Sequence, residues 1–222
     1  GYSKFRVGEY EAYRTVWSLQ SELKTKAPYN QWENPTGIYL KQGESCWVAV
    51  SGIKDDKVGV KIRNWVKSEN GCSFSLRNGL NQITATYEGN VFVDYYTDNF
   101  ENAPNVNVHF INAPVRGYWD QETMTNSDWK ELLKGRSQKD STILITRSRH
   151  AQTAYPVYIW LQNCPTDIDS TMTLYQQVQW AERDIMGLER YGRQVKNRQL
   201  FYGTTYGFMA AGGEGAYCHV NS

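Results

Sequence analysis

Histidines are the first candidates for chemistry in this sequence, and their spacing argues against a self-contained metal site. His109, His150 and His219 lie far apart along the 222 residues. None belongs to a His-Glu-x-x-His helix, whose four-residue spacing turns both imidazoles toward one zinc ion. Each could still act as a distant ligand or a general base. A lone histidine more often has a surface or hydrogen-bonded role, which we favour here.

Carboxylates and nucleophile motifs add no catalytic signature. Asp55 and Asp56 fall in a predicted turn, and Asp167 and Asp169 fall at a predicted helix start, where acids stabilise the exposed N–H groups. A glycosidase needs two carboxylates about 5 to 9.5 Å apart, which a sequence alone does not reveal. The sequence also lacks G-x-S-x-G, G-x-G-x-x-G and a phosphate-binding Gly-Lys-Ser/Thr loop.

An aromatic and amide cluster is the remaining candidate surface. Six aromatic residues lie near predicted strand ends, among Asn99, Asn102, Asn105 and Asn107: Phe92, Tyr95, Tyr96, Phe100, Tyr118 and Trp119. Rings that stack on sugar faces beside amides that bond hydroxyls would make a glycan site. The same residues would equally serve as core and turn residues of a β-sandwich, and that interpretation is favoured.

Composition describes an ordinary globular chain. The net charge of +1 predicts no charge-driven partner such as nucleic acid, and no apolar run is long enough to span a membrane. The four cysteines are widely spaced without C-x-x-C, which argues against structural zinc and leaves both disulfides and buried thiols open. The sequence begins at Gly1 without a signal peptide, so earlier removal of one stays open.

The first half of the chain predicts one helix and a β-sandwich. Residues 9–26 have the three- and four-residue apolar spacing of a helix, which Ala27-Pro28 would end. Short runs rich in Val, Ile, Tyr and Trp, separated by Gly, Asn and Asp, then predict an antiparallel sandwich. We expect its strands at residues 37–41, 45–51, 57–65, 72–76, 81–86, 91–97 and 105–112.

The pattern becomes mixed after Pro114. A short helix is predicted from an N-cap at Asn126-Ser127 to Gly135, followed by strands at 142–146 and 157–161. A longer helix is predicted over 167–191, with a buried stripe of Ile168, Met172, Tyr175, Val178, Ile185 and Leu188. We divide the chain into a lead-in (1–33), a β-sandwich domain (34–114) and an α/β segment (115–222).

Six ordered segments carry a family resemblance. They are NPTGIYLKQGE (34–44), LRNGLNQI (76–83), EGNVFVDYY (88–96), NVNVHFINAPV (105–115), NSDWKELL (126–133) and RDIMGLER (183–190). Their order and spacing resemble the enhancin-like zinc metallopeptidases, which target mucins and other glycoproteins and occur in gut bacteria and insect viruses. The likeness runs from about Gly37 to Met209.

The resemblance implies an α+β fold: an N-terminal helix and antiparallel β-sandwich, then the front part of a mixed α/β zincin-like domain. It implies a secreted, surface or periplasmic parent enzyme that uses zinc on glycosylated proteins such as mucins. In that family the zinc-binding helix follows a stretch like residues 206–218, and this sequence contains no such helix. We therefore assign no zinc ligand or catalytic residue, and we expect a truncated, inactive chain of undetermined oligomeric state.

The resemblance also implies one substrate-binding segment. In zincin folds the strand before the active-site helix borders the cleft and pairs with the peptide substrate. By order, that strand comprises Phe208, Met209, Ala210, Ala211 and Gly212. Small side chains here would let a substrate backbone approach closely. A glycine-rich loop is the alternative interpretation of these five residues.

Two other classes of function stay open beside the peptidase. One is a non-catalytic glycan-binding β-sandwich module with an α/β appendage. The other is a purely structural adhesin-type module. A His-Glu-x-x-His sequence in the reading frame beyond Ser222 would favour the peptidase over both.

Overall fold

The computed structural model describes residues 2–25, 29–66, 71–205, 207–212 and 214–220. These residues form three β-sheets, four α-helices and a 3₁₀ turn at Tyr2–Arg6. The helices are α1 (Val16–Leu23), α2 (Asn126–Leu133), α3 (Val157–Asn163) and α4 (Ile168–Ile185).

Two antiparallel sheets form the predicted sandwich. Their strands are β1 (Val7–Tyr10), β2 (Asn34–Leu40), β3 (Ser45–Ser51), β4 (Gly59–Arg63), β5 (Cys72–Ser75), β6 (Gly79–Thr84), β7 (Gly89–Asp94) and β8 (Val106–Ile111). One sheet has the order β1-β8-β3-β6 and the other β2-β7-β4-β5. Alternating apolar residues from both sheets, such as Val48 and Val91, meet in a single core.

A mixed sheet follows, as the sequence predicted. Its strands are β9 (Trp119–Asp120), β10 (Ile143–Arg147), β11 (Ala151–Pro156), β12 (Gln199–Thr204), β13 (Met209–Gly212) and β14 (Gly215–His219). The order is β13-β14-β12-β11-β10-β9, with β12 parallel to both β11 and β14. The predicted fold class, an α+β chain with a sandwich ahead of a mixed sheet, is confirmed.

The sheet β2-β7-β4-β5 is a middle layer, buried on both faces. Val91 and Val93 of β7 point into the sandwich core. Phe92, between them, packs on the other side against Trp32 and Trp65, in a cluster that includes residues of β10, β11 and β12. Residues of β7 alternate between two cores because successive strand side chains point to opposite faces.

The helix predicted over residues 9–26 is too long. Val7–Tyr10 instead forms β1, which pairs with β8, and only Val16–Leu23 is helical. Lys24 ends α1 in the left-handed region, with φ of 55°. The Tyr and Val residues of this segment fit both the helical and the strand period, so their spacing alone predicted a helix that is too long.

The strand predicted at residues 157–161 is wrong. Val157–Asn163 is helix α3, and the strand is the preceding segment, β11. Pro156 caps the helix with φ of −58° and ψ of 145°, which suits the residue before a first turn. A short apolar run does not by itself distinguish a buried helix from a buried strand.

The long helix predicted over 167–191 ends at Ile185, and its predicted buried stripe is correct in the first turns and at Leu188, which is 2% exposed beyond the helix. Ile168 and Met172 are fully buried, but Val178 is 51% exposed and Ile185 is 86% exposed. The buried side of α4 continues instead through Gln179 and Arg183, which are polar. An apolar criterion could not find the buried side, because polar side chains occupy its second half.

The predicted short helix is confirmed, with its N-cap one residue earlier. Thr125 accepts a hydrogen bond from the Asp128 N–H at 3.3 Å, and the Asp128 carboxylate accepts one from the Thr125 N–H at 2.8 Å. This reciprocal pair is a capping box. All four cysteines are unpaired. No described helix is long and apolar enough to cross a membrane.

A buried ion pair joins the sandwich to the mixed sheet. The Glu33 carboxylate, at 0% exposure, accepts a hydrogen bond from the Arg198 N–H at 2.6 Å and lies 3.5 Å from the Arg198 guanidinium. Arg198 also donates to the Ser148 carbonyl at 2.7 Å and the Tyr13 hydroxyl at 2.8 Å. These bonds fix the start of β12 against the segment that leads into β2.

Neighbouring contacts reinforce this junction. Gln152 of β11 donates to the Trp32 carbonyl at 2.6 Å. Arg147 of β10 donates to Asp120 at 2.7 Å and to the Glu33 carbonyl at 3.4 Å. Burial raises the pKa of Glu33 to about 7, although Arg198 acts in the opposite direction.

Replacing Glu33 should change how stability depends on pH. A carboxyl whose pKa is higher in the folded state stabilises fully below its unfolded value, about 4.5, and loses that contribution as pH rises through about 7. Relative to wild type, Glu33→Gln should therefore gain about 2 to 3 kcal/mol between pH 4.5 and 8. Urea denaturation across this range measures the difference. Exposed Glu101→Gln is the control, and parallel curves for Glu33→Gln and wild type would contradict the assignment.

Truncating Phe92 should destabilise both layers together. Phe92→Ala opens a cavity in the aromatic cluster between the middle layer and the mixed sheet, at an expected cost of about 3 to 5 kcal/mol. We expect a single unfolding transition followed by both fluorescence and circular dichroism. Tyr87→Ala, at a 38% exposed position, should cost less than about 1 kcal/mol. Two separate transitions would show that the layers unfold independently.

Candidate functional site

The sequence-predicted substrate segment lies at the edge of the mixed sheet. Met209–Gly212 is strand β13, and Phe208 precedes it directly. Within the described ranges, β13 pairs only with β14. Phe208 is 93% exposed and Met209 is 81% exposed. The segment is therefore an edge strand and not a glycine-rich loop.

Strand β14 positions this edge. It lies between β12 and β13, parallel to the former and antiparallel to the latter. Gly215, where β14 begins, approaches the main chain of β12 so closely that a Cβ atom would lie 2.2 Å from the Leu200 carbonyl oxygen. The hairpin can therefore pack against β12 only with glycine at this position.

The hydrogen-bond register decides which backbone groups of β13 face outward. The His219 N–H donates to the Phe208 carbonyl at 2.6 Å, so these two residues form a hydrogen-bonded pair. Hydrogen-bonded and non-hydrogen-bonded pairs alternate along an antiparallel ladder. Met209 and Ala211 therefore make no main-chain hydrogen bonds to β14. Their N–H and C=O groups point away from β14, toward the open edge of the sheet. An exposed edge of this kind can pair with an extended peptide.

A cavity of about 490 Å³ lies near the other end of β14, where Cys218, His219 and Val220 line it together with α3 and α4. The Tyr175 hydroxyl donates to the Tyr155 hydroxyl at 3.4 Å, and the Cys218 thiol lies 3.8 Å from Tyr155. Burial raises the pKa of both phenols. They stay protonated at neutral pH, so they can bond a ligand but cannot act as general bases there.

The three histidines do not come together. His109 lies on β8 in the sandwich, His150 precedes β11, and His219 ends β14. Among the residues that the structure describes, no group of three His, Cys, Asp or Glu side chains could hold a metal ion. The described residues therefore do not fit a catalytic zinc site, which needs three protein ligands.

The aromatic and amide cluster is divided between core and surface. Phe92, Tyr95 and Trp119 are each 1% exposed or less, whereas the other three rings are half-buried and the four asparagines are exposed. The Tyr95 hydroxyl donates to the Pro104 carbonyl at 2.9 Å, and the Tyr96 hydroxyl accepts from the Glu33 N–H at 3.1 Å. Half of the rings are therefore unavailable to a sugar.

Sequence reasoning missed the charged residues around Glu33 and Arg198 and the polar side of α4. Each is a single charged or amide residue in a loop or helix, separated by many positions from its partner. The burial that brings these residues together is not visible from the sequence.

A comparison with known protein families gives a match in the first half of the chain. Residues 18–109 match the sequence model of the N-terminal domain of M60-like peptidases. No curated protein matches the chain.

Solved structures share the fold over almost the whole chain. A metallopeptidase in complex with Tn antigen has a TM-score of 0.87 at 23% identity, covering 98% of this chain and 42% of its own length. A metallopeptidase from Bacteroides thetaiotaomicron gives the same TM-score and identity, covering 98% and 38%. The M60 catalytic domain of Clostridium perfringens ZmpC, in complex with the sialyl T antigen, has a TM-score of 0.80 at 13% identity, covering 96% and 48%.

The chain thus spans less than half the length of each of these structures. At such identities the structural likeness establishes the fold. The family-model match over residues 18–109, together with these metallopeptidase structures, supports the enhancin-like resemblance predicted from the sequence for this N-terminal portion.

Proposed function

We propose that this chain is the forward part of a zinc metallopeptidase that cleaves glycosylated proteins such as mucins. The observation that carries the proposal is that metallopeptidase structures cover 98% of the chain at a TM-score of 0.87. Two of the similar structures hold the glycans Tn antigen and sialyl T antigen, which supports a glycosylated substrate.

Strand β13 would bind the substrate main chain. The outward N–H and C=O groups of Met209 and Ala211 would pair with an extended peptide, as a further strand of the mixed sheet. Main-chain pairing is indifferent to side-chain identity, so it would hold the peptide in register while glycan contacts elsewhere supply specificity. The small side chains of Ala210 and Ala211 leave room for bulky glycosylated residues on the bound strand.

An uncovered apolar surface supports a larger catalytic unit. Leu174 and Val178 of α4 are 63% and 51% exposed, and Ile185 is 86% exposed. Phe208 and Met209 add a second exposed apolar area. Exposed apolar groups of this size usually meet another polypeptide surface. We propose that further sequence of the same protein packs here.

Zinc in this proposal belongs to the longer protein. Because the described residues supply no ligand set, we assign no metal-dependent step to them. Zinc, held elsewhere, would activate the attacking water. What this chain contributes is substrate alignment by β13 and a rigid support for the catalytic part. A location outside the cell, or at its surface or periplasm, follows from the proposed substrate and belongs to the same proposal.

A glycan-binding sandwich without catalysis is less well supported. Three of the six aromatic rings that would have formed its platform, Phe92, Tyr95 and Trp119, are buried. We therefore do not favour it for the sandwich.

The proposal is tested on the protein encoded by the complete reading frame. It should cleave a mucin-type glycoprotein, lose activity with a chelator and regain it with zinc. The isolated 222-residue chain should not cleave the same substrate with or without zinc. A complete protein that binds mucin but leaves it intact under all these conditions would contradict the proposal.

A proline at Ala211 tests the role of the edge strand. Ala211→Pro removes an outward N–H without breaking a bond to β14, so it should lower kcat/KM on the glycoprotein at least about tenfold while leaving thermal stability nearly unchanged. Ala211→Val retains the N–H and is the matched control, expected to keep most of the activity. Equal activities of the proline and valine variants would argue against peptide pairing at β13.

A further inference from the structure

A second cavity, here called the His150 pocket, lies at the opposite end of β11 and β12 from Cys218 and His219. Its volume is about 450 Å³, within the range of small-ligand sites. It is enclosed by the last turns of α4, the segment that follows α4, and the residues just before β11 and β12. Residues lining it include His150, Trp180, Arg183, Glu189 and Arg198.

His150 is a buried polar side chain without a partner. It is 5% exposed, and neither ring nitrogen has a hydrogen-bond partner among the described residues. Its backbone is fixed, because its N–H donates to Gln176 at 3.1 Å and its carbonyl accepts from the Gln199 N–H at 2.9 Å. Leaving such groups unsatisfied costs about 1 to 3 kcal/mol each, so their persistence calls for an explanation.

Arg183 contributes a third unpartnered atom to the same pocket. This residue is 4% exposed, and its Nε has no hydrogen-bond partner in the part of the chain described. Its other nitrogens bond the Val195 carbonyl at 3.3 Å and Glu189 at 3.2 Å. The guanidinium is therefore held in place by its two terminal nitrogens, and its Nε–H is left to bond a ligand.

The charge of the pocket favours a single negative charge on its ligand. Its lining has four cationic side chains and three carboxylates: Arg149, Arg183, Lys196 and Arg198, and Glu11, Glu122 and Glu189. Lys196 pairs with Glu11, Arg183 pairs with Glu189, and Arg198 pairs with Glu122 and with the buried Glu33. A highly charged anion would disrupt these pairs, whereas one carboxylate can bond the unpartnered Nε of Arg183.

Trp180 supplies an apolar surface over the imidazole. Its indole is perpendicular to the His150 ring, with centroids 5.4 Å apart, and it is 44% exposed. Exposed side chains change rotamer in picoseconds to nanoseconds, so the indole can turn and uncover His150. A half-exposed ring above polar groups suits a ligand with one apolar and several polar faces.

We propose that the His150 pocket binds an acidic monosaccharide unit, a hydroxylated ring that bears one carboxylate. Hydroxyl groups both donate and accept, which matches a neutral imidazole with one donor and one acceptor nitrogen. The carboxylate matches the free Nε of Arg183, and the C–H face of the ring packs on Trp180. Burial and Arg183 lower the pKa of His150 to about 4, so the ring is neutral at pH 7. The proposal does not depend on peptidase activity.

Histidine side-chain NMR on the 222-residue chain tests the proposal at pH 7. The chain has three histidines, so the imidazole ¹⁵N signals are readily assigned. Glucuronate, titrated up to about 100 mM, should shift the His150 signals saturably and leave those of His109 and His219 in place. Glucose should bind at least about tenfold more weakly, because it lacks the carboxylate, and acetate should do likewise, because it lacks the ring.

Two variants sharpen the result. Trp180→Ala should weaken glucuronate binding at least about fivefold, whereas Trp17→Ala, at a 67% exposed position on α1, should not change it. Arg183→Gln should reduce the preference for glucuronate over glucose. Absence of a saturable His150 shift would overturn the proposal. Equal binding of acetate would reduce the site to an anion pocket, and equal binding of glucose would exclude the acidic class. The wild-type titration decides the question even if a variant fails to fold.

Discussion

The buried contact between Glu33 and Arg198 sets the relation between the sandwich and the mixed sheet. A carboxylate at 0% exposure is tolerated because it accepts the Arg198 N–H at 2.6 Å and faces the guanidinium at 3.5 Å. Removing either partner would leave a buried charge or donor uncompensated. Since Arg198 is the residue before β12, this contact fixes where the central strand of the mixed sheet begins.

The remaining features of that sheet follow from β12. Its register with β11 pairs Gln199 with Ala151, which brings the preceding residues, Arg198 and His150, together in the lining of the His150 pocket. Its register with β14 places the hairpin and therefore the outward groups of Met209 and Ala211. The ion pair of Glu33 and Arg198 at the start of β12 thus helps to position the nearby His150 pocket and the edge strand β13, which lies two strands away from β12. The polar residues Gln179 and Arg183 on α4 belong to the same arrangement, because they face that end of the sheet.

The sandwich could be predicted closely from the sequence, because turns and period-two alternation mark each strand. Ser45–Ser51 was predicted with its observed bounds, and the other six predicted strands differ only at their ends, whereas β1 was predicted as helix. The mixed sheet was harder, because β10 and β11 are buried on both faces and lose the alternation. Val157–Asn163 was misassigned for a related reason: five apolar residues in a short run carry no period that separates helix from strand.

The candidate site was only partly within reach of sequence reasoning. The order of segments in the resemblance located residues 208–212, and the structure places them on an edge strand. Glu33 with Arg198, and His150 with Arg183, are brought together by tertiary folding across long sequence separations. No spacing rule applies to such pairs. Of the aromatic residues singled out in the sequence, Phe92 packs between two layers against Trp32 and Trp65, which the sequence did not single out.

Amide hydrogen exchange at β13, measured in the complete protein with and without a bound glycopeptide, shows whether this sheet edge receives the substrate. We predict that the Met209 and Ala211 amides exchange quickly in the free protein and become protected when the peptide binds. The amide of Ala210, which pairs with β14, should be protected in both states. Unchanged exchange at Met209 and Ala211 on binding would contradict the claim that this sheet edge receives the substrate.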